Sequence, residues 1–399
     1  MNKPISVVVA LIATTTFAPA QSLLEVGYFP FNGLFACSGY EQYMITGAGH
    51  MVDITDPAMP QLTGNASIGF GTAVMVAGDR AYFGTGMQPV VKVVDLTVPS
   101  APLTLGSVPL PASAGVFDLA IQGNVLYAAN AQGGLVSIDV TDPQVPFILQ
   151  AFAIPGGQQA RGVAVNGNYA YVADGNGLKV VDISDPEDMQ VISSTGSNFV
   201  SVSMESDGTT LAVGQNGGGA LLFSLADPAS PQILYGVPES DGPAYRVQLH
   251  DDRLLVTSEQ FGVRIYTLGP NSAALLGSFD NSANGQTFSA FAHDDLVYVT
   301  GLVNGAAILS WGTVGIGSDL PSPVQGRLYP VPTKDVLNWT NDFQEQSGAY
   351  TVTDVTGRTI LIGRISGTFI DVSGLTPGVY RLAMVEQGKV MRSAPFLRE

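Results

Sequence analysis

Short apolar or alternating stretches, separated by small polar pairs, recur along most of the chain. The best-formed example reads VAVN over residues 163–166, turns at Gly167-Asn168, and continues as YAYV over residues 169–172. Such stretches predict strands. A Gly-Asn pair tolerates the positive φ angles that a tight hairpin requires. Each pair of stretches is therefore predicted to form an antiparallel hairpin.

Two landmarks repeat with the same period. The first is the two-residue turn, which appears as Gly78-Asp79, Gly123-Asn124, Gly167-Asn168, Asp207-Gly208, Asp251-Asp252 and Asp294-Asp295. The second is an apolar strand that ends in Asp and is followed by Ser or Thr and then Asp-Pro. Its prolines, in intact or degenerate copies, are Pro57, Pro99, Pro143, Pro186, Pro228 and Pro270, spaced by 42 to 44 residues. Because Asp side chains cap their own turns and Pro fixes the exit, these repeated residues are predicted to serve folding.

Four short strands in a unit of about 43 residues match the size of a propeller blade. Residues 35–311 hold seven such units. We therefore predict an all-β, seven-bladed β-propeller, in which residues 23–27 supply the outer strand of the last blade and close the ring. A β-solenoid is the alternative, although its coils are usually shorter and lack an antiparallel hairpin in each unit.

The repeat also resembles a known family. Residues 178–183 (LKVVDI), with the preceding GNYAYVA of residues 167–173, are similar to the LVIVD-repeat β-propellers of bacterial surface and secreted proteins. The resemblance covers residues 23–312 and is strongest in units two to four. It implies the propeller fold and says little about function.

The two ends of the chain differ from this body. Lys3, the apolar run of residues 5–18 and the small-x-small sequence Ala18-Pro19-Ala20 predict a cleaved signal peptide over residues 1–20, with a buried N-terminal strand as the alternative. Residues 21–320 carry 7 basic and 26 acidic side chains, whereas residues 321–399 carry 8 basic and 7 acidic ones. We therefore expect a propeller over residues 21–312, a Gly/Pro linker over 313–326 and a second domain over 327–399. The strongly acidic body argues against a nucleic-acid partner.

Alternating strands separated by Gly and Pro turns predict that residues 327–399 form a small C-terminal β-sandwich of Ig-like type. The segment resembles the type A C-terminal sorting domain of type IX secretion substrates in Bacteroidetes-like bacteria. The residues that carry the resemblance are Tyr329, Pro330, Pro332, Gly357, Arg358, Gly374, Leu375, Pro377, Gly378 and Tyr380. Val331 stands where the family commonly has Asn.

The resemblance implies export through the periplasm, contact with the type IX secretion machinery, and a mature protein that is released or attached at the outer-membrane surface. An ordinary accessory β-sandwich is the alternative. No later stretch is apolar enough to predict a transmembrane segment.

Candidate chemistry is sparse. Cys37 is the single cysteine and is predicted to be a buried, inert thiol on an inner strand. His250 and His293 occupy equivalent positions before Asp-Asp turns, so turn chemistry is favoured over metal binding, and His50 has no obvious partner. No cofactor is expected. Residues 174–177 (DGNG) leave weak Ca²⁺ binding as the alternative to a hairpin loop.

Propellers place functional side chains at the mouth of the central channel. When the seven repeat units are aligned with one another, Asp118 and Arg246 fall at one equivalent position near the start of the inner strands, with Arg161 and Tyr245 beside it. These four residues are the candidate ligand-binding residues, since Arg binds a carboxylate or a sugar acid well. For Arg246 itself, a structural ion pair with a neighbouring acid such as Asp118 is the favoured interpretation, and ligand binding is the alternative.

No catalytic motif is recognised, so the favoured function is a secreted or cell-surface binding or adhesion module whose partner is a surface glycan or another envelope component. An extracellular hydrolase or lyase, acting on a polysaccharide or a lactone at the channel mouth, is the alternative. A purely structural envelope protein is a third hypothesis.

Overall fold

The computed structural model describes residues 21–31, 35–86, 88–111, 114–156, 159–196, 199–204, 208–237, 244–258, 262–280, 287–293, 296–301, 305–310, 328–329, 333–339, 349–354, 359–364, 369–386 and 389–398. The expected signal peptide and the whole of the expected linker lie outside these residues. The described part of the chain is built from β-strands joined by turns and loops.

Seven sheets, each with four antiparallel strands, form the propeller. In blades one to six these four strands run in sequence order from the axis to the rim, and in blade seven the outer strand comes from the N-terminal side of the propeller. Blade one contains Cys37–Tyr40, Tyr43–Thr46, His50–Asp53 and Gln61–Asn65. Blade two contains Gly71–Ala77, Arg80–Thr85, Val90–Asp95 and Leu103–Pro109. Blade three contains Asp118–Gln122, Val125–Ala129, Leu135–Asp139 and Phe147–Phe152. Blade four contains Gly162–Asn166, Tyr169–Ala173, Leu178–Asp182 and Gln190–Thr195.

The remaining three blades follow the same plan. Blade five contains Phe199–Met204, Thr210–Gln215, Ala220–Ser224 and Gln232–Val237. Blade six contains Ala244–His250, Arg253–Ser258, Gly262–Leu268 and Ala273–Phe279, and the short strand Gln21–Ser22 pairs in parallel with its outer edge. Blade seven contains Thr287–His293, Leu296–Gly301 and Ala306–Ser310, with Leu24–Phe29 as its outer strand.

The ring closes through the N-terminal strand. Leu24–Phe29 pairs antiparallel with Ala306–Ser310, so the two ends of the propeller share one sheet. The innermost strand of each blade also contacts that of the next, and blade seven contacts blade one. The predicted seven-bladed propeller and its closure are therefore confirmed.

The apolar core lies between the blades. Between blades two and three, for example, Val91 and Val93 pack with Leu126 and Val136, and all four side chains are fully buried. Both faces of each middle strand are covered by neighbouring blades, which explains why those strands read as nearly continuous apolar stretches.

The repeated motif of a strand-ending Asp, then Ser or Thr, and then Asp-Pro stabilises the rim of the propeller. In blade four the Asp182 carboxylate accepts a hydrogen bond from the backbone N–H of Ser184 at 2.9 Å, and Asp185 accepts one from Glu187 at 2.9 Å. The same turn docks on the preceding blade, since the Ser137 hydroxyl donates to the Pro186 carbonyl at 2.6 Å. The folding role predicted for the repeated aspartates is confirmed.

The C-terminal segment forms two further sheets. One contains Leu328–Tyr329, Val336–Trp339 and Phe369–Asp371, and the other contains Ala349–Asp354, Thr359–Arg364, Gly378–Glu386 and Lys389–Arg398. Side chains from both sheets share one buried cluster, in which Leu337 and Ile370 pack with Val352, Leu382 and Phe396.

Candidate functional site at the channel mouth

Aromatic side chains surround one mouth of the central channel. The rings of Phe70, Phe35, Phe288 and Tyr245 form a continuous series, which we call the aromatic arc. Neighbouring ring centroids in this series are 4.6, 5.0 and 6.2 Å apart. The arc extends from blade two through blades one and seven to blade six, and the tilted and edge-on contacts between its rings are favourable geometries.

The aromatic arc borders a cavity of about 650 Å³ that continues down the channel between the inner strands. Phe117 and Arg161, from blades three and four, line the same cavity. Deeper in the channel its wall is formed by small or apolar residues such as Ala120 and Ala164, together with Gln248. A cavity of this volume lies within the range of small-ligand sites.

Arg246 crosses the channel. It starts on the inner strand of blade six, and its Nη2 donates to the backbone carbonyls of Thr72 at 3.2 Å and Phe117 at 3.0 Å, which belong to blades two and three. Its Nη1 lies 3.6 Å from the Asp118 carboxylate, with 26 and 21 % of the two side chains exposed. The predicted structural pairing is therefore present, and this guanidinium is already engaged by three acceptors.

Asp118 is held from two sides. Besides facing Arg246, it accepts a hydrogen bond from the Val163 backbone N–H at 3.0 Å. Burial raises the pKa of this carboxyl, and the nearby Arg246 charge and the two backbone hydrogen bonds from Val163 and Leu119 oppose the rise. Loss of hydration therefore outweighs the favourable charge at this position.

Arg161 lies on the opposite side of the mouth from the aromatic arc. Its guanidinium carbon lies 5.6 Å from the centre of the Phe117 ring, and its Nη2 donates to the Gln159 side-chain oxygen at 3.1 Å. Among the described residues, no carboxylate lies within 4.0 Å of this guanidinium. The half-buried Arg161 therefore retains hydrogen-bonding capacity toward the cavity.

The structure thus brings all four candidate residues, Asp118, Arg161, Tyr245 and Arg246, to one cavity. Sequence reasoning missed Phe35, Phe70, Phe117 and Phe288. All of these but Phe70 lie six residues before their hairpin turns, as Arg161 and Tyr245 do. Comparing that single position across all blades would have found them, whereas Phe70 lies eight residues before its turn.

The remaining candidate residues lie in structural contacts. Cys37 is buried, which raises the pKa of its thiol to about 11. His293, the last residue of the inner strand of blade seven, has its Nε2 2.9 Å from the Glu41 carbonyl in the turn of blade one, whereas His250 lies 3.9 Å from the adjacent Asp251. His50 contacts the Thr46 hydroxyl at 3.0 Å.

Asp174, the first residue of the possible calcium loop, caps its own turn. It accepts from the Asn176 backbone N–H at 2.9 Å, and its second oxygen lies 3.8 Å from the Lys179 ammonium. No group of three or more metal-ligating side chains is found in the described part of the chain. Calcium binding at this loop stays an untested prediction.

Part of the sorting motif is described. Tyr329 ends a strand, Leu375 is buried, and Gly378 begins a strand that contains the buried Tyr380. The Tyr380 hydroxyl donates to the Thr376 carbonyl at 2.9 Å, which closes the turn around Pro377. Gly374 lies in the turn before it. The remaining four motif residues lie outside the described residues: Pro330, Pro332, Gly357 and Arg358.

The family comparisons agree with both resemblances. Residues 115–152 and 157–195 match the LVIVD repeat, and residues 327–393 match the secretion system C-terminal sorting domain. The chain is therefore a seven-bladed β-propeller that contains LVIVD repeats. The chain also carries a type IX secretion sorting domain, which points to a secreted or cell-surface protein and implies interaction with the secretion machinery.

Solved structures share the fold at low identity. A functionally unknown protein from Desulfotomaculum acetoxidans DSM 771 is 14 % identical with a TM-score of 0.50, over 66 % of this chain and 94 % of that chain. The Cps50 (Swd1) β-propeller domain of Myceliophteria thermophila is 14 % identical with a TM-score of 0.55, over 72 % of this chain and 99 % of that chain. A search of curated protein sequences finds no match. None of the described segments is a helix with the length and apolar character to cross a membrane.

Proposed function

We propose that this protein is a secreted binding module that holds its ligand at the channel mouth, against the aromatic arc. The observation that carries the proposal is a series of half-buried or exposed aromatic rings around an open cavity, with an arginine that has no carboxylate partner among the described residues. Exposed aromatic groups beside a few polar ones are typical of ligand sites. Adhesion to a surface glycan or another envelope component is the role we assign to this site.

The C-terminal segment serves export in this proposal. It acts as an Ig-like β-sandwich that the type IX machinery recognises after Sec-dependent passage into the periplasm. The match over residues 327–393 and the two sheets with a shared core support this assignment. No cofactor is assigned, and weak calcium binding at residues 174–177 is tested together with ligand binding.

One observation favours the alternative, an extracellular hydrolase or lyase that acts on a polysaccharide or a lactone. Asp118 is a carboxyl with a raised pKa in a cavity, as a general acid requires. Within the described lining of the cavity it is the single carboxylate, and it faces Arg246 at 3.6 Å. A catalytic role would need a second group from elsewhere.

The experiment measures retention of the purified full chain by outer-membrane, polysaccharide and extracellular-matrix fractions, with calcium and with chelator. We expect saturable retention by one fraction and its loss in Phe288→Ala. Phe147→Ala is the matched control, because Phe147 is a 52 % exposed phenylalanine on the outer strand of blade three. Retention that Phe288→Ala leaves unchanged would contradict the proposed site.

The same fractions are then assayed for breakdown products. Release of soluble sugar or opened lactone that is lost in Asp118→Asn would replace the binding proposal with the enzymatic one. Loss of retention in chelator would assign a calcium site to the module.

A further inference from the structure

The chemistry of the channel mouth is asymmetric. On one side, the aromatic arc presents ring faces and edges from blades two, one, seven and six. On the other side, Arg161 lies against Phe117, and its pairing within the described chain is limited to the neutral Gln159 side chain and the Phe117 ring. A ligand that fills the mouth therefore meets apolar rings on one side and a positive charge on the other.

The second guanidinium at the mouth, that of Arg246, is not available to a ligand anion. Arg246 donates to two carbonyls and faces Asp118, so a ligand anion would have to displace all three acceptors to reach it. Arg161 has no carboxylate partner among the described residues that would have to be displaced. Within the described lining of the cavity, Arg161 is therefore the guanidinium that an incoming anion can reach.

The Arg161 guanidinium lies in a strongly acidic part of the chain, which limits how an anionic ligand can bind. Residues 21–320 carry a formal charge of −19, from 7 basic and 26 acidic side chains. This field repels an anion at long range and is screened beyond about 10 Å at 0.1 M salt. An anionic ligand therefore gains from Arg161 only when its charged group contacts the guanidinium, which favours a compact carboxylate on a ligand that also stacks on the rings.

We propose that the channel mouth binds the carboxylate-bearing end of an acidic polysaccharide, with a sugar ring stacked on the aromatic arc and its carboxylate bound by Arg161. This assignment rests on the proposed function and names its ligand class. A carboxylate can accept two parallel hydrogen bonds from one guanidinium, and the C–H face of a sugar packs on aromatic rings. The cavity of about 650 Å³ has room for a few sugar units.

The test uses one sugar chain in two charge states. Binding of oligogalacturonate and of its fully methyl-esterified form to the purified full chain is measured by calorimetry at low and at high salt. We expect the acid to bind at least about tenfold more tightly than the ester, which corresponds to one charge-assisted hydrogen-bonded contact. High salt screens the repulsion from the acidic body, so a preference for the acid that persists there belongs to the Arg161 contact.

Variants assign the contacts. Arg161→Gln should reduce binding of the acid to about the level of the ester and weaken binding of the ester much less, and Arg161→Lys should recover part of the loss. Phe288→Ala should weaken both ligands, and the rim variant Phe147→Ala should weaken neither. Circular dichroism and a thermal melt of each variant exclude a loss of fold.

The outcomes separate this inference from the proposed function. Equal binding of acid and ester, no binding of either, acid binding that Arg161→Gln does not change, or tighter binding of a peptide that ends in an aromatic residue would each overturn the ligand class. If Phe288→Ala still abolishes retention by a natural fraction, the binding site stands and only the ligand class fails. If no fraction depends on Phe288, the proposed function fails as well.

Discussion

The rim of the propeller and the mouth of its channel are built on opposite plans. At the rim, successive blades repeat one device: an Asp caps the next turn, as Asp139 does for Thr141 and Asp182 does for Ser184, at 2.7 and 2.9 Å. At the mouth, equivalent positions hold different side chains, such as Phe117, Arg161 and Tyr245 in blades three, four and six.

This difference separates folding from recognition. A side chain that recurs in every blade solves a problem that every blade has, namely docking on its neighbour. A side chain that differs from blade to blade at one position is free of that demand. The mouth can therefore combine aromatic, cationic and small residues without loss of the ring.

The largest expected effect tests the rim where the ring closes. In Gly27→Ala, the new Cβ would overlap the Pro57 carbonyl oxygen, because the outer strand of blade seven docks on the Asp-Pro turn of blade one. We expect a loss of about 3 kcal/mol or more in the free energy of unfolding, measured by urea denaturation.

Gly217→Ala is the matched control. A Cβ at Gly217 meets nothing within 4 Å. Its substitution should change the free energy of unfolding by less than about 1 kcal/mol. Equal effects of the two substitutions would show that closure does not depend on this contact.

The second prediction tests the contacts that Arg246 makes across the channel. Arg246→Met leaves Asp118 partly buried without its facing charge and frees the Thr72 and Phe117 carbonyls. We expect a loss of about 1–3 kcal/mol in unfolding free energy, and a smaller loss for the double variant with Asp118→Asn than the two single losses added. Strict additivity would contradict the coupling across the channel.

Arg253→Met is the control for this pair. Arg253 lies 3.8 Å from Asp252, of which 66 % of the side chain is exposed. Exposed ion pairs contribute about 0–1 kcal/mol, so this variant should lose less stability than Arg246→Met.

The third prediction uses the raised pKa of Asp118. Its folded-state pKa lies above the unfolded value of 3.8, so the folded protein binds this proton more tightly than the unfolded chain. The contribution of Asp118 to stability is therefore fully present below pH 3.8 and is lost as pH rises through the folded pKa. The unfolding free energy of the wild type minus that of Asp118→Asn should fall over this window and then level off.

Urea denaturation at a series of pH values measures that difference, in which the other titrating groups largely cancel. Because the Arg246 charge lowers the pKa of Asp118, Arg246→Met should move the window to higher pH. A difference that does not vary with pH would show that Asp118 titrates at its ordinary value.

The same contrast explains what the sequence could predict. The blades follow from local periodicity, since hairpin turns and capped Asp-Pro turns involve residues close together in the chain. The closing strand followed from its likeness to the other outer strands. The alignment of the repeats placed Arg246 at the mouth beside Asp118, but its hydrogen bonds to blades two and three did not follow, because Thr72 and Phe117 lie 174 and 129 residues away. Of the aromatic arc only Tyr245 was predicted, because the sequence of one blade does not show that side chains from four blades meet around one cavity.

The smallest expected effect compares a regular blade with a degenerate one at the rim. Asp182→Ala removes the cap on Ser184, for a loss of about 0.5–1.5 kcal/mol. Ser224 takes the equivalent place in blade five and accepts from the Ala226 backbone N–H at 3.2 Å. This contact is longer and uncharged, so Ser224→Ala should lose less stability.

The pH dependence of the two caps should also differ, because the Ser184 hydrogen bonds hold the pKa of Asp182 below its ordinary value. Its contribution is therefore present above the unfolded pKa and lost as pH falls through the folded one, whereas that of Ser224 is independent of pH. Asp182→Asn keeps the acceptor but not the charge, so it should retain part of the stability and lose the pH dependence; a pH-independent Asp182→Ala effect would mean that the carboxylate charge is irrelevant to the cap.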